Sequence, residues 1–404
     1  MKHYTCPDCG GSMEWDGAAG GLRCGNCGKA VSVPSGPPAG FHGYEAPPAF
    51  PGLEDFPDRA VRCPCCGAET RTDSCTVSMS CPYCGTSLVF DERQLAFARP
   101  DAVARCMVSP ERVKSLVREW SGKQRFAPDL TSKYMEVKFI SPQYIPFWVF
   151  EARSRCKYSG RGCRYRKGPG AGRTAATWHP IHGERSDDLR NFGVPAAAGI
   201  KKDYADFLFR STPDDAFSGW KPEYFAGSWS FVPAVPFADA EMQAKDEMKD
   251  EIGKRIRSEL NCDRAEFSSF NAEFSSKAWR LVQIPGYFVI CRYNGGIYVA
   301  AVNAVTGEIS GTYPVSILKV NMAFIIVTAA LFALCAFIEP DMVVTCTEGG
   351  CRPSWGSIGS LAAFLLAGAL MLYARTWFWL RGRVLGRDDL KESPWLRQIM
   401  EKTK

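Results

Sequence analysis

The cysteines carry the most legible chemistry of this sequence. Cys6, Cys9, Cys24 and Cys27 form two CxxC pairs, and Cys63, Cys66, Cys81 and Cys84 repeat them at the same spacing. A glycine follows the second cysteine of each pair, and glycine admits the backbone conformation that such a turn requires. One CxxC turn points two thiolates at an ion, and two turns make a tetrahedral set of four thiolates. A catalytic zinc keeps an open position and four thiolates leave none, so the spacing predicts two structural zinc ions. Iron in a similar four-thiolate cage is the lesser alternative. Cys65 and Cys75 fall outside the repeat. Cys65 either exchanges for a neighbour in the first knuckle of the second unit or is a spare thiol.

No second constellation of comparable clarity follows. From Arg153 to Arg173 the cations Arg153, Arg155, Lys157, Arg161, Arg164, Arg166, Lys167 and Arg173 run without an intervening acid. They form either a patch for lipid headgroups or nucleic acid, or a solvated hairpin with outward charges. His179, His182 and Glu184 are a weak metal motif lacking further converging ligands. Asp187, Asp188, Asp214 and Asp215 come in adjacent pairs that more often solvate loops. No nucleophile–base–acid set emerges, and non-enzymatic function is expected. The glycine-rich stretch from Gly168 to Thr174 lacks the lysine of a phosphate-cradling loop, which argues against an ATP-driven motor.

The elements that must hold these residues divide the 404-residue chain. Each ribbon (1–33 and 61–90) is too small for a core of its own, so the metal substitutes for one. Their basic residues are balanced by acids, which favours protein docking over phosphate binding. Residues 34–60 are rich in proline and glycine and read as a semi-extended linker that lets the ribbons move independently. Residues 91–318 read as an α+β domain. Ser109-Pro110-Glu111 opens a helix ending near Gly122. A β-branched and aromatic stretch follows, broken by Pro142 and Pro146. Ala240, Ala244, Met248, Ile252, Ile256 and Leu260 repeat along a long helix from Asp239 to Leu260. From Leu281 a β-meander turns at Asn294-Gly295-Gly296 and at Thr306-Gly307.

Two apolar stretches, Val320 to Ile338 and Trp355 to Leu380, approach or exceed the roughly 20 residues that cross a bilayer. They predict a transmembrane hairpin over 319–383, with a cytoplasmic tail at 384–404. Lys319 precedes the first stretch and Arg375, Arg381, Arg383 and Arg387 close or follow the second, whereas Glu339, Asp341 and Glu348 outnumber Arg352 in the loop between. The positive-inside rule then puts both termini in the cytoplasm, at an inner or plasma membrane. Met1 to Cys9 is polar and unlike a signal peptide. Cys346 and Cys351 lie in the external loop, where a disulfide is permitted, the alternative being two free thiols. A net charge of +6 is too mild to announce a nucleic-acid protein, and it suits an anionic membrane surface.

The order of CxxCG ribbons, Glu119 to Leu130 (EWSGKQRFAPDL), Tyr144 to Ala152 (YIPFWVFEA) and Asn303 to Lys319 (NAVTGEISGTYPVSILK) resembles the bacterial membrane-anchored zinc-ribbon proteins labelled TFIIB-type or helicase-PriA-like. The resemblance covers most of the chain. It brings no defined biochemical activity. Some members accompany phage-shock-type and flotillin-like membrane-stress proteins, which implies an anchoring role. The duplicated ribbon and the long linker depart from the simplest pattern. The expected architecture is thus two four-cysteine zinc ribbons, an α+β cytosolic domain and a two-helix anchor. The expected function is a membrane adaptor whose ribbons recruit a cytosolic or membrane protein. A membrane-tethered nucleic-acid binder using the ribbons and the 153–173 run is the alternative.

Overall fold

The computed structural model describes residues 3–44, 59–72, 76–89, 99–129, 131–138, 142–167, 174–197, 200–338, 345–347, 350–352, 368, 370 and 374, some by backbone alone. In chain order the first strands are β1 (Met13–Asp16), β2 (Gly21–Cys24), β3 (Ala30–Ser32), β4 (His42–Gly43), β5 (Arg59–Arg62), β6 (Glu69–Thr72), β7 (Thr76–Ser80), β8 (Ser87–Val89) and β9 (Ala102–Ala104). Helices α1 (Pro110–Lys123) and α2 (Thr131–Tyr134) precede β10 (Glu136–Lys138), β11 (Gln143–Lys167) and β12 (Thr174–Pro195). Then come α3 (Lys202–Arg210), β13 (Phe217–Ser218), β14 (Trp229–Phe231), α4 (Phe237–Glu259), β15 (Arg264–Tyr293), β16 (Gly296–Asn303) and β17 (Ile309–Gly311). Last are α5 (Ile317–Ile338), β18 (Thr345–Thr347) and β19 (Gly350–Arg352). Contacts divide the chain into two units.

The first unit holds residues 1–110, 141–287 and 303–308. Its sheet runs in the order β13-β9-β15-β11-β14-β7-β8, with β12 beside the long part of β11. Strand β11 passes through Pro146, which the sequence reading takes as a break. The N–H and C=O of one residue face the same neighbour, and the Pro146 carbonyl accepts from the Ala196 amide. The missing donor therefore falls where β12 has already ended, at no cost to the ladder. Helix α4 lays its stripe of Ala240, Ala244, Met248, Ile252 and Ile256 into the core, against Trp148, Phe150, Cys156, Leu189 and Leu281. The two alanines bring the helix close to the sheet. It ends with Asn261 in the left-handed region (φ 52) and a Cys262 N–H to Arg257 C=O bond of 3.0 Å, a Schellman closure.

The linker is not the free arm that its composition suggests. The Ala39 amide donates to the Asp101 carbonyl at 2.9 Å, and Gly219 N–H donates to the Gly36 carbonyl at 2.9 Å. Strand β4 adds to the edge of β15 at Ala278 and Trp279. Residues 36 to 44 are therefore stitched onto the domain, and residues 45–58 lie outside the described residues.

The second unit holds residues 111–140, 288–302 and 309–404. Here the β15–β16 hairpin turns on Asn294 (φ 45) and Gly295 (φ 74), the two positive-φ positions of a type I′ turn. Helix α1 buries Val113 and Val117, and α5 runs helical for 22 residues. Over the residues described in full, no helix is long and apolar enough to cross a membrane; the side chains of α5 beyond 330 are outside that set. The expected second span, 355–380, is likewise outside it apart from 368, 370 and 374. Strands β18 and β19 pair so that Cys346 stands opposite Cys351.

Candidate metal centres

Four knuckles are built alike. The Cys6 amide donates to the Gly11 carbonyl at 2.7 Å, and Gly10 N–H returns to the Cys6 carbonyl at 2.9 Å. The same reciprocal pair recurs from Cys24 with Lys29 and Gly28, from Cys63 with Ala68 and Gly67, and from Cys81 with Thr86 and Gly85. Gly10, Gly28, Gly67 and Gly85 all take φ between 71 and 75, where a side chain would be strained. The first cysteine of each knuckle is buried and the second exposed, so each ion site faces solvent on one side.

The eight thiols form two groups, Cys6, Cys9, Cys24, Cys27 and Cys63, Cys66, Cys81, Cys84, with the sulfurs of each within 4.8 Å of one another. A tetrahedral ion with metal–sulfur bonds of about 2.3 Å spaces its sulfurs about 3.8 Å apart. The sulfurs of Cys6 and Cys27 are 3.5 Å apart, and those of Cys9 and Cys24 also 3.5 Å. In the second group Cys63 and Cys84 stand at 3.6 Å, and Cys66 and Cys81 at 3.8 Å. The donors thus fit a bound metal before any ion is added. Amides of Cys27 and Asn26 lower the Cys24 thiol to about 6, and the Thr86 hydroxyl and amide lower Cys84 to about 6. Each is favoured as thiolate at the expense of a partner in its own group, Cys9 and Cys66 being pushed up to about 12. Cys65 is exposed and outside the group, which settles the ligand ambiguity in favour of Cys63 and Cys66. Cys75 lies outside the described residues.

Both ribbons fasten to the segment from Tyr224 to Val232, contacts that the reading of independently moving ribbons does not include. In ribbon 1 the Trp15 amide donates to Ala226 C=O at 3.0 Å. The Trp15 indole donates to Cys106 C=O at 2.8 Å and packs edge-on against Tyr224 at 4.8 Å. Ala226 completes the ribbon-1 core of Cys6, Met13, Leu22 and Cys24. In ribbon 2, β7 pairs antiparallel with β14, and the Ser78 hydroxyl donates to Ser228 C=O at 2.8 Å. Val232 joins Val61, Cys63, Val77, Met79, Cys81 and Leu88 in the core of that ribbon. Gly227 lies between the two, at φ 82, with Glu14 of ribbon 1 about 3.0 Å from where a Cβ would sit and its own amide bound to Ser87 of ribbon 2. Sequence reading missed this strap, since no local pattern announces contacts across 91 or 150 residues.

The other sequence candidates resolve differently. Arg153 faces Asp188, Arg155 faces Glu184 and Arg161 faces Glu266 across strands. Arg164 donates to the Asn261 carbonyl at 3.0 Å. The hairpin with cross-strand charges is the reading these pairs support. The side chains of Arg166 and Lys167, and all of Arg173, lie outside the described residues. His179 and His182 are three apart on β12 and therefore point to opposite faces; they form no shared site. His179 stands instead 3.7 Å from the Cys262 sulfur. Asp187, only 4% exposed, takes a bidentate grip from Arg185 at 2.7 and 2.8 Å and a bond from Arg255 at 3.2 Å. It closes the sheet onto α4.

No family model matches the chain, and no solved structure matches it. The chain is similar to an uncharacterised protein of Bacillus subtilis (strain 168), YdjG, with 22% identity over 327 residues, covering 80% of this chain and 92% of that protein.

Proposed function

We propose that this protein is a membrane-anchored zinc-ribbon adaptor that brings a cytosolic protein partner to the membrane, in keeping with the resemblance to membrane-stress zinc-ribbon proteins. The observation that carries this reading is the pair of closed four-thiolate clusters, each docked on one strap of the α+β domain. A closed cluster has no position for a substrate, so zinc here shapes surface. The exposed knuckle tips, with Tyr83 at 69% exposure, are the surface on offer to a partner. The anchor rests on α5, which carries no charge from Val320 to Ile338 and leaves Leu318, Met322, Ile325, Ile326 and Val327 exposed. A helix apolar on every side is a helix for lipid or for a buried core. Cytoplasmic termini follow from the flanking cations, and a Cys346–Cys351 disulfide is consistent with their facing positions in the β18–β19 hairpin.

The nucleic-acid reading has less to draw on, since three cations of the basic run are engaged by acids of neighbouring strands. Affinity purification from mild-detergent membranes, with and without nuclease, separates the two. Enrichment of membrane-stress proteins that survives nuclease supports the adaptor. Recovery only of nucleic-acid-bound proteins, lost on nuclease, overturns it.

A further inference from the structure

Away from both metal centres, the sheet is distorted twice at one row. Strand β11 pairs on one side with β12, whose register slips between Phe150 and Ala152, and on the other with β15, whose register slips between Glu151 and Arg153. Each neighbour carries a non-glycine residue in the left-handed region at the slip, Asn191 (φ 58) and Ser276 (φ 47). Such residues cost free energy and gather where a sheet must re-aim side chains. Beside this row lies a cavity of about 330 Å³, lined by Asn191, Arg210, Thr212, Asp214, Phe217 and Arg280 among others.

Arg280 is the unusual member. Its guanidinium lies over the Phe41 ring at 4.5 Å and the Phe217 ring at 5.2 Å. Its Nε is buried with no hydrogen-bond partner. Burial pulls its pKa down, against the pull of Asp214, Glu151 and Asp101. None of these acids comes within ion-pair distance of it among the described residues. Asp214 is spoken for, because the Asn191 amide donates to both its oxygens at 2.9 and 3.1 Å. Asp101 binds His42 and the Leu281 amide. Glu151 lies on the same face of the sheet, and burial raises its pKa. A half-buried cation without a hydrogen-bonded anion is costly, and ring faces repay only part of that.

We propose that this cavity is a binding site for a small oxyanion, a carboxylate or phosphate group seated on Arg280 with Arg210 at the rim. The planar fork of guanidinium donors matches either group bidentately. Asn191 and Asp214 then hold the wall, and the left-handed turn at Asn191 is what brings its amide to Asp214. The proposal is independent of the adaptor reading.

The test uses the full-length, metal-loaded protein in detergent, with inorganic phosphate and acetate as separate probes and chloride as the ionic-strength control. Thermal unfolding is followed against probe concentration, together with line broadening of the phosphate phosphorus signal. A saturable rise in Tm over chloride is expected for at least one probe, with phosphorus broadening where that probe is phosphate, and the responding probe assigns the group. Arg280→Met is expected to weaken the apparent affinity about tenfold or more, and Arg210→Gln, at the rim, to weaken it less. If Arg280→Met fails to fold, Arg280→Lys keeps the charge, loses the fork and still weakens binding. The proposal is overturned if neither probe acts in the wild-type chain, or if the response is the same in all variants.

Discussion

The docking of ribbon 1 gives the sharpest prediction. Replacing Trp15 by alanine removes the indole bond to the Cys106 carbonyl and the ring contact with Tyr224, while leaving all four ligands of the ribbon intact. A neutral hydrogen bond contributes about 1 kcal/mol and an edge-on aromatic pair about 0.5–1.5 kcal/mol. Trp15 is only half-buried, so the burial lost is well below the full 3–5 kcal/mol of a core Trp→Ala change. Together these place the undocking cost at roughly 2–3 kcal/mol, or about 30- to 150-fold in the docked–undocked equilibrium. Native-state hydrogen exchange reads it. The residue-15 amide, bound to the Ala226 carbonyl, should exchange faster by that factor. The Gly227 amide, held by Ser87 of ribbon 2, should change much less, and two bound metal ions should remain. Unchanged exchange at residue 15 would refute the claim that the indole clamps the ribbon. Loss of the metal would show that the clamp and the ligand cage are not separable.

Two further outcomes follow from the side chains already placed. Cys66→Ser should lose one zinc ion per chain by elemental analysis, whereas Cys65→Ser should keep both, since only Cys66 belongs to the cluster. Asp187→Asn should cost roughly 1–3 kcal/mol at neutral pH, less than a fully buried pair because Arg185 and Arg255 are 24% and 37% exposed. Burial pushes the Asp187 carboxyl up, but the hydrogen bonds of Arg185 and Arg255 outweigh it and hold it below the usual range. A depressed carboxyl contributes stability that is present above about pH 4 and is lost as pH falls through its folded value. Urea unfolding should therefore show a flatter acid limb in the variant, and an unaltered limb would count against the pairing.

Much of the fold is legible where chemistry is local. The knuckles announce themselves because ligand type, spacing and the left-handed glycine all fall within five residues of one another. The stripe of α4 and the Asn294-Gly295 turn are legible for the same reason. The first half of β15 is not. Residues such as Ser268, Ser269, Asn271, Ser275 and Ser276 lie along its exposed arm, where alternation with Phe267, Phe270 and Phe274 is diluted by the slip in register. His179 and His182 look like a pair until β12 is known to be a strand, at which point their odd separation parts them. The strap at 224–232 and the guanidinium of Arg280 depend on neighbours from distant segments, and no window along the chain contains them.

The strap also explains why two ribbons are placed on one domain. Strand β14 is three residues long and joins β11 to β7. So short a strand, set between two neighbours in the sheet, contributes little stability alone. It is held between β11 and β7 of ribbon 2, and Ala226 and Gly227 just before it pack on ribbon 1. A ribbon of this size in turn depends on its metal for a core. Metal occupancy and the order of the strap should then be coupled. Each ion bound should raise the stability of the segment that seats the other ribbon, and stripping one should loosen its neighbour. Two ribbons on a free arm would titrate independently, whereas two ribbons on one strap should lose their metals with positive coupling.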